Sequence, residues 1–140
     1  MIQEHEIVLY QVEDTNICVN VVFKDETFWM TQKAMAELFD VNVPAISKHL
    51  QNIYEEEELT RDATVSKMEI VQMEGNRKVK REPEFYNLDA IIAVGYRVNS
   101  KKATRFRQWA TKTLKDYITK GFVLNDDMLK NGKPFGKDYF

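Results

Sequence analysis

A chain of 140 residues, 44% hydrophobic and 30% charged, has the composition of a soluble globular protein of one domain. No run approaches the ~18 apolar residues of a membrane span, and the start MIQEHEIVLY lacks the basic region of a signal peptide. Cys18 is the single cysteine, which excludes an intrachain disulfide, reads as a small core residue and fits a reducing cytoplasm. The net charge of −2 conceals an asymmetry: residues 1–60 hold 3 Lys/Arg against 12 Asp/Glu, and residues 61–140 hold 17 against 10. Such halves either pair with each other or leave a basic side for an anionic partner.

The first elements read as β-strands: Glu6 to Val12, the β-branched run Ile17 to Phe23, and, after the polar turn Lys24-Asp25-Glu26, Thr27 to Met30. The stretch 31–54 then reads as a helix-turn-helix. Thr31 is an N-cap type, Gln32 opens the first helix, and Met35, Ala36 and Phe39 form its inward stripe. Asp40, Val41 and Asn42 make the turn. Asn42 caps a second helix in which Pro44 suits the first turn, and Val43, Ile46, Leu50, Ile53 and Tyr54 recur at helical spacing. The acids Glu55 to Glu58 oppose the helix dipole and end that helix.

Residues 64–86 read as one β-hairpin turning at Glu74-Gly75-Asn76-Arg77, with a basic tip of Arg77, Lys78, Lys80 and Arg81 and a break or edge position at Pro83. Asn87 caps a helix whose Leu88, Ile91, Ile92 and Val98 are expected to be buried. Asn99-Ser100 starts a long helix that ends at Gly121. Its apolar face is Ala103, Phe106, Ala110, Leu114, Tyr117 and Ile118, with Trp109 at the margin; Lys101, Arg105, Gln108, Lys112 and Lys115 fall opposite. Arg107 breaks the pattern and must snorkel, pair or face a partner. The expected fold is therefore α+β: a small antiparallel sheet, a helix-turn-helix, a wing-like hairpin and a long C-terminal helix. One domain spans 1–124, and 125–140, with Phe135, Tyr139 and Phe140, is an irregular tail beginning a truncated C-terminal region.

With two histidines and one cysteine there is no metal-ligand cluster, and there is no P-loop or GxGxxG. Neither cofactor, metal nor catalysis is expected. A winged helix-turn-helix would place its second helix in the major groove of double-stranded DNA, presenting Asn42, Val43, Pro44, Ala45, Ser47 and Lys48. Thr31 and Gln32 would touch phosphates, and Arg77, Lys78, Lys80 and Arg81 would form the wing. The basic stripe of the long helix would be a second backbone-contacting surface. Equal weight goes to plainer roles: packing for the helix pair, edge protection for the basic hairpin, solvation for the stripe. Against DNA stand the acidic N-terminal half and the scarcity of Arg, the usual guanine reader, on the second helix.

The runs TQKAMAELFDVNVPAISKHLQNIYEE, FYNLDAIIAVGYRVNSKKATRFRQWATKTLKDYITKGFVL and FGKDYF together resemble the RhuM virulence-protein family of bacteria, from about Thr27 onward. The resemblance implies a helix-turn-helix in the first run and a helical C-terminal region beyond the last. The stretch Phe85 to Phe122, with Arg105-Phe106-Arg107-Gln108-Trp109, is distantly similar to phage antirepressor-type (Bro) N-terminal domains. The expected function is non-catalytic DNA binding, as a transcriptional regulator or mobile-element accessory acting as a homodimer. The alternative is an antirepressor-like module that grips an acidic protein partner without touching DNA; an enzyme ranks last.

Overall fold

The structure, a computed structural model, describes residues Glu6–Lys120. The expected Gly121 cap and the tail over 125–140 lie outside them. Three strands open the chain: β1 (Glu6–Gln11), β2 (Cys18–Lys24) and β3 (Thr27–Met30). Asp25 and Glu26, at φ 54° and 62°, make the two-residue turn between β2 and β3, where positive φ at both positions matches the right-handed strand twist. Next come α1 (Gln32–Phe39), α2 (Val43–Glu55), a single turn α3 (Arg61–Thr64), β4 (Val65–Lys67), β5 (Ile70–Glu74), β6 (Arg77–Arg81), β7 (Glu84–Asn87), α4 (Leu88–Val98) and α5 (Ser100–Lys120). The main sheet runs β1-β2-β3-β7-β4 with every neighbouring pair antiparallel. The α+β expectation holds.

The segment read as one hairpin is two ladders in series. Its base, β4 against β7, belongs to the main sheet, while β5 and β6 form a separate two-stranded sheet. The interruption falls at Met68 and Pro83, where the Met68 N–H donates to the Pro83 carbonyl at 3.3 Å; proline has no N–H to continue the ladder in return. Thr64, expected in a strand, instead closes α3, its hydroxyl donating to the Thr60 carbonyl at 2.7 Å.

Strand alternation divides the side chains between two faces. Val8, Tyr10, Val19, Val21, Phe23, Phe28, Met30 and Tyr86 join Met35, Phe39, Ile46, Ile53, Ile91, Val94, Phe106 and Tyr117 in the main core. α5 lies over the first three strands through ring contacts: Tyr10 edge-on to Phe106 at 5.1 Å, Phe28 stacked on Trp109 at 5.1 Å, and Phe23 against Tyr117 at 4.5 Å. Val22, Trp29, Met68 and Phe85 form a smaller cluster, with Ile70 packed on it. Val22 and Trp29 are cross-strand partners out of phase with Phe23 and Phe28, so this cluster sits on the other face of the sheet.

α4 approaches its neighbours closely because its contact residue is glycine. A Cβ on Gly95 would stand 2.6 Å from Phe39 and 2.7 Å from Ala103. The buried side of α4 is therefore Ala90, Ile91, Val94 and Gly95, while Leu88, Ile92 and Val98, expected inside, are only half-buried. On α5, Ala103, Phe106, Ala110, Thr113 and Tyr117 are buried, but Ile118 is 52% exposed, so the apolar face is narrower than its helical spacing predicts. Cys18, expected in the core, is exposed, because the pleat of β2 turns it away from buried Val19 and Val21. No helix of the described residues is long and apolar enough to cross a membrane.

Candidate nucleic-acid interface

The helix pair is fixed by its caps. Thr31 Oγ1 accepts from the Ala34 N–H at 3.1 Å, and Asn42 Oδ1 accepts from the Ala45 N–H at 2.8 Å. Between them Asp40 takes the left-handed conformation, φ 60° and ψ 50°, and its N–H returns to the Ala36 carbonyl. An Asp tolerates this position that glycine more often fills. Ile46, Leu50 and Ile53 anchor α2 in the core, leaving Val43, Pro44, Ser47, Lys48 and Gln51 exposed along its outer side, with Ala45 half-buried.

The two ends of this surface differ. Asn42 and Val43 border a shallow groove with Ile17, Cys18 and Asp40. Ser47 and Gln51 border an open cleft of about 540 Å³ shared with Gln32, Tyr54, Glu55, Arg61, Glu84 and Tyr86. There the Gln32 Nε2 donates to the Tyr86 hydroxyl at 3.0 Å, and that hydroxyl donates to Glu84 Oε1 at 3.1 Å. The other Glu84 oxygen takes Arg61 at 2.9 Å. The Arg61 guanidinium lies 5.6 Å from the centre of the Tyr54 ring, whose hydroxyl meets Thr64 Oγ1 at 2.8 Å. Burial pushes the Tyr54 and Tyr86 phenols up, so they stay protonated hydrogen-bonding groups. The network ties α3 and β7 to α1 and α2. Gln32, half-buried, thus has a structural partner, and Gln51, Arg61, Glu84 and Tyr86 are cleft residues that sequence reasoning missed. No local motif marks them: Arg61 and Glu84 meet only because β4 pairs with β7.

The hairpin presents two faces. Across the β5–β6 register Val71 faces Lys80 and Met73 faces Lys78; the other face carries Ile70, Gln72 and Glu74 against Arg81, Val79 and Arg77. Arg77, Lys78 and Lys80 are exposed, and none forms an ion pair among the described residues. Arg81 is diverted: its fork grips Glu74 at 2.6 and 2.9 Å. That grip, with the Gln72 amide, holds the Glu74 carboxyl at about 2. Thr31 borders a groove of about 480 Å³ with Val71, Gln72 and Pro83, so the start of α1 lies between α2 and the arm. The tip cations line neither this groove nor the α2 cleft.

The charge asymmetry is partly spent inside the chain. Arg97 donates to Glu56 and Glu58, each at 2.9 Å, and Arg105 pairs with Glu13 at 2.8 Å. Arg105 is therefore not part of an open basic stripe with Lys101, Lys112 and Lys115. Exposed pairs of this kind add little stability, but they remove acids of the first half from the local field. Arg107 is exposed and donates to the Tyr96 hydroxyl at 3.0 Å, which lowers that phenol's pKa.

No curated protein and no solved structure matches the chain. The model of the virulence protein RhuM family matches residues 63–140. This is more than half of the chain; it contains the hairpin, α4 and α5 and begins after α2, so the helix pair stands outside it. The chain belongs to the virulence protein RhuM family.

Proposed function

We propose that this chain is a non-catalytic DNA-binding domain of a bacterial transcriptional regulator or mobile-element accessory, with α1 and α2 as its helix-turn-helix and β5–β6 as a wing. The observation that carries the reading is the division of α2. Ile46, Leu50 and Ile53 lock one side into the core, while Val43, Pro44, Ser47, Lys48 and Gln51 stand in solvent on the other. A major groove accepts such a helix, with Asn42, Lys48 and Gln51 offering hydrogen bonds and Val43 and Ala45 meeting thymine methyl groups. Affinity comes chiefly from Arg77, Lys78 and Lys80, which neutralise phosphates; Thr31 and Gln32 add backbone contacts. One such helix reads few base pairs, so the working unit is a dimer.

A mobility-shift titration of random-sequence duplex DNA at low salt tests this. A shift that weakens steeply with added salt supports it; no shift at low salt overturns it for this chain. A second reading is favoured by one observation. Val71 and Met73 are 58% and 61% exposed beside Lys78 and Lys80, an apolar and cationic surface that also suits an acidic protein segment, as in an antirepressor-like interaction module. Glu55 and Glu84 in the α2 cleft favour that reading too, since they repel phosphate.

A further inference from the structure

We infer that β1 is a self-pairing edge through which two copies of this chain join their main sheets. The two edges of the sheet are built differently. β4 is three residues long and carries Lys67, a short and charged edge of the kind that resists pairing. β1 is six residues, EIVLYQ, with no Pro, no Lys and no positive φ among them. Its outward-facing side chains Ile7 and Leu9 are 53% and 62% exposed.

The register makes this edge complementary to itself. The Val12 N–H donates to the Ile17 carbonyl at 2.9 Å, so even-numbered residues of β1 turn their backbone groups to β2. Alternation then points the backbone N–H and C=O of Ile7, Leu9 and Gln11 to the edge that no strand among the described residues pairs. A twofold axis perpendicular to the sheet, midway between Val8 and the partner's Val8, sets Ile7 opposite the partner's Leu9 and Leu9 opposite the partner's Ile7. Each of these exchanges both of its outward backbone bonds, and the four aliphatic side chains close into one patch on the outer face. On the inner face Val8 meets the partner's Val8, and Glu6 meets the partner's Tyr10, so no like charges oppose each other. The same surface serves both copies, as a closed dimer requires. The contact is small, so the dimer is reversible and concentration-dependent. It rests on the DNA reading only in supplying a second reading helix, and its test contains no DNA, so the two fail separately.

Light scattering on the full chain across a concentration series reads the outcome. The expected mass rises to twice the 16.5 kDa of one chain. Leu9→Lys, at an exposed position, returns it to one chain with an unchanged circular dichroism spectrum. In a Cys18→Ser background, Val8→Cys cross-links to itself on oxidation, because opposed residues of a non-hydrogen-bonded pair stand about 4.5 Å apart, within disulfide reach. Gln11→Cys does not, since the two copies of it lie at opposite ends of the contact. A wild-type chain that stays monomeric, a dimer indifferent to Leu9→Lys, or cross-linking at Gln11 in place of Val8 would each overturn the inference. Leu9→Lys decides the matter even if Val8→Cys fails to fold.

Discussion

The helix pair and the hairpin carry the two halves of the proposed function, and they are built in opposite ways. Ile46, Ile53 and Met35 of the pair are fully buried, and each helix begins on a side-chain cap. The hairpin has no fully buried side chain along β5 or β6 and stands as its own two-stranded sheet. One region holds a shape at the cost of charge; the other holds charge with little core. The core fixes the orientation of a reading surface, while an arm needing only to deliver cations is supported by its ladder and the Glu74–Arg81 pair.

The sharpest way to break this contrast is truncation at matched positions. Ile46→Ala removes a fully buried side chain and is expected to cost about 2–5 kcal/mol, whereas Val71→Ala at the exposed arm stays within about 0.5 kcal/mol. Thermal or urea unfolding of the two variants measures both. A comparable loss at Val71 would mean that the arm is part of the main core.

A smaller effect is expected at the turn. Asn42→Ala removes the cap of α2 and costs about 1 kcal/mol, while Asn42→Ser, which keeps an accepting oxygen, recovers most of it. Denaturation midpoints compare the pair. If DNA affinity falls with Asn42→Ala and stays low with Asn42→Ser despite restored stability, Asn42 touches the nucleic acid as well as the helix.

The smallest effect belongs to the hairpin's own ion pair. Glu74 is held below the ordinary carboxylate value of 4.5, at about 2. A depressed carboxyl contributes its stabilisation fully above its unfolded pKa and loses it as pH falls through the folded one. The hairpin is therefore expected to keep the Glu74–Arg81 pair at neutral pH and lose it between about pH 4.5 and 2. Carboxyl chemical shifts followed by NMR read this directly, and an ordinary midpoint for Glu74 would show the fork is not closed in solution.

Much of the fold is legible in the chain because it rests on local chemistry. Thr31, Asn42 and Asn87 are caps in the structure as their types predict, Pro44 sits in a first turn, and the stripe Ala103, Phe106, Ala110 and Tyr117 faces the core. What escapes sequence reasoning depends on partners distant in the chain. Arg105 reads as part of a basic surface, and only the fold brings Glu13 to it; the pairing of Arg97 with Glu56 and Glu58 has no signal in the sequence either. Cys18 reads as a core residue yet is exposed, because an apolar run does not say which parity faces inward. The hairpin reads as one ladder in the sequence because the change of partner at Met68 and Pro83 is set by where β7 joins β3 and β4. The candidate site shows the same division. Asn42, Val43, Pro44, Ser47 and Lys48 share one surface as their spacing predicts, but Arg81, though exposed, is held by Glu74, and Gln32 is engaged by Tyr86.

The central claim is that affinity resides in the arm and register in the helix pair. The most direct measurement is the salt dependence of duplex binding by the wild-type chain and by Lys78→Ala/Lys80→Ala, followed by fluorescence anisotropy. Each phosphate contact contributes about 0.9 to the slope of log affinity against log salt for duplex DNA. The double variant is therefore expected to bind more weakly on every sequence, with a slope lower by about 2. An unchanged slope and affinity would contradict the account and return the hairpin to a protein-facing role.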